Sequence, residues 1–196
     1  KGLLISSIFD PDPVIFLEHR WIHGIKEIVN PKFYKVPLKK CKKISTGDSL
    51  TIVTMSSMTI ELKKIVNFLK KEKIYCDLID LRTVAPIDYT TIIKSIKKTN
   101  KILIVDSSHK NLSISSQISS FLSEKYFKFL EQGPQIISLP DLPVPTSHAL
   151  TKFYYPGSEE IIKKILKMTD KNIKIDKKIF KKKEHDKPGD WFTGAF

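Results

Sequence analysis

Apolar residues in this chain gather into short runs separated by stretches of helical period. Leu50-Thr51-Ile52-Val53-Thr54-Met55 is a compact run rich in β-branched residues and reads as a strand. Ser56 and Ser57 then suit a helix cap. Ile60, Leu62, Ile65, Val66, Phe68 and Leu69 recur at helical spacing and predict a helix from about 58 to 72. The pattern repeats. Ile74 to Leu81 predicts a second strand, and Pro86-Ile87-Asp88 opens a second helix to about Lys98. Ile102 to Val105 predicts a third strand ending at Asp106, followed by a helix carrying Ile114, Ile118, Phe121 and Leu122. Gln135 to Leu139 predicts a fourth strand, and a last helix covers roughly 158–168. Strands alternating with helices imply a mostly parallel sheet with helices on both faces, a three-layer α/β/α domain.

The flanks are less regular. Lys1 to Phe9 reads as a short helix end, followed by an Asp10-Pro11-Asp12-Pro13 turn and a strand at Val14-Ile15-Phe16-Leu17. That strand stops at Glu18-His19-Arg20, like the carboxyl edge of a buried parallel strand, where open α/β sheets place ligand groups. Residues 21–48 have poor periodicity, with Pro31 and Pro37, and read as a linker. After Met168 the chain becomes a Lys-rich tail, solvated over 169–187, whose Trp191, Phe192 and Phe196 are expected to dock on a surface. The expected organisation is a terminal remnant of a preceding domain (1–20), a linker (21–48), the α/β domain (49–168) and the tail (169–196). The chain opens on Lys1 rather than Met and is expected to belong to a longer polypeptide. The Lys1–Ser7 run is broken too soon to read as a signal peptide, and no apolar run approaches the ~20 residues that span a bilayer.

Composition changes this picture little. The net charge of +13 raises nucleic-acid binding, but of 34 cationic residues only Arg20 and Arg82 are arginine. Nucleic-acid sites favour arginine, whose planar fork matches phosphates and base edges, and the lysines here are scattered. Neither nucleic acid nor membrane is therefore an expected partner. Cys41 and Cys76 lack metal-ligand spacing and read as reduced structural thiols of a cytoplasmic protein; no metal site is expected.

Three segments carry a family resemblance. They are Pro13-Val14-Ile15-Phe16-Leu17-Glu18 with Gly24 after it, Asp80-Leu81-Arg82-Thr83-Val84-Ala85-Pro86-Ile87-Asp88, and Leu142-Pro143-Val144-Pro145 followed by Tyr155-Pro156. In this order they resemble the C-terminal domain of transketolase-type enzymes, most like the beta subunit of the thiamine-diphosphate-dependent pyruvate and 2-oxo acid dehydrogenases. The chain departs from that pattern at Asp106–Gln117, which has no glycine and carries Gln117 where a Glu is common.

In the parent enzyme the resemblance implies thiamine diphosphate and Mg, with acyl transfer to a lipoyl acyltransferase core. This chain has no Gly-Asp-Gly motif and no segment for the activating Glu, so no catalytic residue, no bound cofactor and no turnover are expected of it alone. Its implied job is assembly: homodimer contact, support of the active-site wall, and contact with an alpha subunit or the N-terminal half of the same enzyme. Glu18, His19 and Arg20 are candidates for the substrate channel, where they can position an anion or exchange protons, although a polar strand end that caps backbone groups accounts for them too. Arg82, Asp106 and His109 are candidates for anion or subunit contact. Arg82 can also serve the turn, with Pro86 in the first helical turn and Asp88 at the helix's positive end, and Asp106 and His109 can pair or be solvated. His23 and His148 read as surface or packing residues. Two other readings stay open: a transketolase-like or deoxyxylulose-phosphate-synthase-like enzyme of sugar metabolism, and a non-catalytic interaction module.

Overall fold

A computed structural model describes residues 1–175. Five strands form one sheet in the order β1-β3-β2-β4-β5. These are β1 (Lys42–Ser45), β2 (Leu50–Thr54), β3 (Cys76–Asp80), β4 (Ile102–His109) and β5 (Gln135–Leu139). β2, β3, β4 and β5 are parallel, and β1 runs antiparallel against β3. The helices are α1 (Gly2–Ile8), α2 (Met58–Lys71), α3 (Tyr89–Thr99), α4 (Ile114–Tyr126), the single turn α5 (His148–Thr151) and α6 (Ser158–Met168).

Strand alternation divides the core into two layers. Leu50 and Ile52 of β2, Cys76 and Leu78 of β3, and Leu103 and Val105 of β4 pack with α2 and α6. Val53, Ile79, Ile102 and Ile104 point the other way, onto Ile92 and Ile96 of α3 and Ile118 and Leu122 of α4. Helix α2 buries Leu62, Ile65, Val66, Phe68 and Leu69 along one stripe. At about 2 kcal/mol per buried side chain, that stripe contributes roughly 10 kcal/mol of transfer free energy before chain entropy is counted. Among the described residues no helix is long and apolar enough to cross a membrane.

The four parallel strands and their helices lie where the hydrophobic pattern placed them, except that β4 runs on past Asp106 to His109, and three local expectations change. Val14–Leu17 does not form a strand: the segment is irregular, with Ile15 88% and Leu17 84% exposed. An isolated apolar run has no ladder partner, and without one the extended backbone gains nothing from strand geometry. The linker reading of 21–48 missed β1, whose exposed Lys42 and Lys43 hide a four-residue edge strand. Ser57 occupies the N-cap position of α2, yet its side chain makes no capping hydrogen bond. The tail's docking aromatics lie outside the described residues.

Candidate functional site

Open α/β sheets place ligand groups at the carboxyl ends of their parallel strands. Polar residues end three of them. Thr54 closes β2 opposite Asp80 of β3, and Asp106 lies near the end of the apolar part of β4. Leu81 N–H donates to Thr54 O at 2.9 Å, which ties the chain leaving β3 to the end of β2. Arg82 follows with φ 58°, in the left-handed region that costs a side-chain-bearing residue roughly 1 kcal/mol. Its N–H donates to Asp80 Oδ1 at 3.4 Å. Burial pushes the Asp80 carboxyl up, opposed by that N–H and by the Arg82 charge. The Arg82 main chain is thus tied back to the carboxylate at the strand end, and the Arg-Thr-x-x-Pro-x-Asp run starts as a turn on Asp80.

Asp88 finishes that turn. It caps α3, with Oδ1 accepting from Thr91 N–H at 3.3 Å and Oδ2 from Thr91 Oγ1 at 2.7 Å. Oδ2 also accepts from Cys41 N–H at 3.1 Å, so one carboxylate fastens the approach to β1 onto the start of α3. Burial alone raises its pKa; the Thr91 and Cys41 hydrogen bonds and the Lys40 charge hold it below the ordinary carboxylate value.

Asp106 and His109 do not pair. Asp106 is buried, with Oδ1 accepting from Ser108 N–H at 3.0 Å and Oδ2 lacking a partner among the described residues. His109 turns instead to the segment between α5 and α6, where its Nε2 lies 2.8 Å from Tyr154 Oη. Tyr154 donates to Leu142 O at 3.1 Å, so its oxygen accepts from His109 Nε2–H. Nδ1 then faces Asp141 Oδ1 at 3.9 Å, and Asp141 also accepts from Asn111 Nδ2. This cluster pins the Leu142-Pro143-Val144-Pro145 segment to the end of β4, beside a cleft of about 590 Å³ bounded by Lys110, Lys152 and Tyr155.

Glu18, His19 and Arg20 lie outside the sheet, in an irregular segment leading into a short 3₁₀ turn at Arg20–Gly24. Glu18 Oε2 meets His23 Nε2 at 3.3 Å, and His19 Nδ1 accepts from Trp21 N–H at 3.3 Å, capping the turn. Burial, then the neighbouring His23 charge, lowers the His19 pKa. Sequence reasoning missed one further group, Asp77. It is fully buried in β3 and accepts from Lys43 Nζ (2.8 Å), Lys98 Nζ (2.8 Å), Ser95 Oγ (2.5 Å) and Gly47 N–H (2.7 Å). A charge inside the apolar run Tyr75-Cys76-Asp77-Leu78-Ile79 was the signal available. No group of three or more His, Cys, Asp or Glu side chains among the described residues is arranged to hold a metal ion.

One antiparallel edge strand beside four parallel strands, with helices on both faces and polar turns at the carboxyl edge, defines a three-layer α/β/α domain. A family model described as the transketolase C-terminal domain matches residues 39–161, and the chain belongs to that family. It is 36% identical over 169 residues to the pyruvate dehydrogenase E1 component subunit beta of Acholeplasma laidlawii, covering 86% of this chain and 51% of that one. It is 33% identical over 161 residues to the acetoin:2,6-dichlorophenolindophenol oxidoreductase subunit beta of Cupriavidus necator, covering 82% and 48%. The chain therefore spans about half the length of the curated relatives it matches. Among solved structures, a split-gene transketolase, described as an inactive beta4 tetramer, superposes with a TM-score of 0.61 over 74% of this chain and 46% of that one, at 19% identity. That likeness shows the fold.

Proposed function

We propose that this chain is the C-terminal assembly domain of a thiamine-diphosphate-dependent 2-oxo acid dehydrogenase beta subunit of the pyruvate dehydrogenase type, inactive by itself. The observation that carries the reading is the exposed apolar stretch ahead of the domain. Phe9 is 61%, Ile15 88%, Leu17 84%, Ile28 101% and Phe33 66% exposed. Apolar side chains in such density want a covering surface, and a cofactor-binding half of the enzyme supplies one. In that assembly 1–20 completes the neighbouring domain, 21–48 spans the join and 49–168 forms the domain core. Glu18, His19 and Arg20 then face the substrate channel, while Arg82 and His109 meet an anion or a subunit and the buried Asp106 holds the end of β4 for a subunit contact.

Thiamine diphosphate would supply the carbanion chemistry when bound to the parent enzyme. No chemical step is assigned to the residues of this chain. Their work is to position and exclude water. The expected partners are an alpha subunit or the N-terminal half, a second beta subunit, and a lipoyl acyltransferase core in the cytoplasm. The test is dye-linked oxidation of 2-oxo acids by the complete polypeptide with its alpha partner, run beside the isolated chain. Turnover by the assembly and none by the chain supports the reading. Turnover of ketose phosphates instead identifies a transketolase-like parent, a reading weakened by the presence of only two arginines to hold phosphate.

A further inference from the structure

The two edges of the sheet are built differently. At one edge, β1 carries exposed Lys42 and Lys43, and its register against β3 slips between Lys43 and Ser45. Lysines within the strand and irregular register are devices that protect an edge from further pairing. At the other edge, the five residues of β5, Gln135-Ile136-Ile137-Ser138-Leu139, carry no charge and no proline. Among the described residues β5 pairs with β4 alone, and its register irregularity lies on that inner side. Pro134 and Pro140 bracket the strand, so the open edge is roughly 17 Å long.

A furrow runs along this edge. Two clefts of about 350 and about 590 Å³ both touch Ile136, Ile137 and Glu160. Lys163, Lys164 and Lys167 of α6 wall the first, and Lys164 Nζ donates to Gln135 Oε1 at 2.6 Å. The second continues past the carboxyl end of the strand, where Lys110 and Lys152 stand. Five lysines thus line the two clefts against two carboxylates, Glu160 and Asp141; Asp141 is already engaged by Asn111, and Lys163 pairs with Glu159 just outside at 2.9 Å, so the surplus of positive charge rests chiefly on Lys110, Lys152, Lys164 and Lys167.

The geometry points to an interaction surface at this edge: β5 accepts an extended acidic peptide segment of a partner protein, which adds a strand beside it and directs carboxylates at the lysines of α6. Main-chain hydrogen bonds along the edge give the affinity, and the lysines select for acid. A second copy of the chain is the competing occupant. Pairing two β5 edges about a two-fold axis sets one lysine wall against the other, and that repulsion opposes it.

The test uses the 196-residue chain and a short, end-blocked, fluorescein-labelled peptide alternating Glu and Val. Binding, read by anisotropy, is expected to weaken as salt rises. Amide hydrogen exchange across 135–139 is expected to slow at least about tenfold with peptide bound, while β1 is unchanged. The double variant Lys163→Glu, Lys167→Glu alters two exposed side chains and is expected to stay folded by circular dichroism while losing at least about tenfold in affinity. No binding, equal binding of a Lys–Val peptide, binding without slowed exchange at β5, or an unaffected double variant each overturns the proposal. Slowing at β5 that follows protein concentration without peptide also overturns it, in favour of self-pairing.

Discussion

Replacing Asp77 with asparagine removes a buried charge and leaves the shape of the side chain. Oδ2 accepts from Lys43 and Ser95, and Oδ1 from Lys98 and Gly47. Either orientation of the amide therefore sets its NH2 group against two donors. Removing one partner of a buried ion pair costs about 3–5 kcal/mol. The Lys43 and Lys98 side chains are 36% and 40% exposed and can turn into water, while Ser95 and the Gly47 N–H cannot. That places the expected loss near the lower end, about 3 kcal/mol, or about 6–12 °C in Tm for a chain of this size. Urea unfolding followed by far-ultraviolet circular dichroism measures it. Burial alone would raise the Asp77 pKa, but the bonds from Lys43, Lys98, Ser95 and Gly47 outweigh it and hold the folded carboxyl below its ordinary value. Its stabilisation is therefore complete above the unfolded pKa of about 3.9 and is lost as pH falls through the lower folded value. The gap between native protein and variant should hold steady down to about pH 5 and close in more acidic solution. A loss under about 1 kcal/mol at neutral pH, or a gap that widens on acidification, would refute the argument.

Other expectations follow from single contacts. A Cβ on Gly47 would collide with the backbone of Tyr75 and Cys76, so Gly47→Ala should cost about 2–3 kcal/mol in the same urea assay. Asp88→Ala removes the α3 cap and the tie to Cys41 together; a loss of about 2 kcal/mol is expected, and Asp88→Asn should recover part of it. Burial, aided by Asp88 and Asp80 at Cys41 and by Asp77 and Asp48 at Cys76, pushes both thiols up to about 12. Alkylation of either at mildly alkaline pH should then be far slower in the folded chain than in urea, as mass spectrometry would report. Tyr154→Phe deletes the oxygen linking His109 to Leu142 and should cost about 1 kcal/mol, seen as faster exchange in the Leu142–Val144 segment.

The parallel strands were legible because each carries an apolar run: β2, β3 and the start of β4 are buried, and the edge strand β5 keeps Ile136, Ile137 and Leu139. β1 escaped because its first two residues are exposed lysines, and the sequence Lys42-Lys43-Ile44-Ser45 has the composition of a solvated loop. Val14–Leu17 misled for the opposite reason: it is apolar, yet no described strand lies beside it. Arg82 and Asp88 were readable as parts of a turn, since their partners are close in sequence. The His109–Tyr154 bond spans 45 residues and the Lys43–Asp77 bond 34, and only the fold brings such partners together. Asp77 left a trace as a charge within an apolar strand, but its four donors left none.

The assembly reading rests on the cover that the exposed residues between Phe9 and Phe33 require. Amide hydrogen exchange across 9–33, compared between this chain alone and the same residues within the complete polypeptide bound to its alpha partner, tests it most directly. Exchange there is expected to slow at least about tenfold in the assembly. Equal exchange in both samples would mean that the apolar stretch meets no partner, and would contradict it.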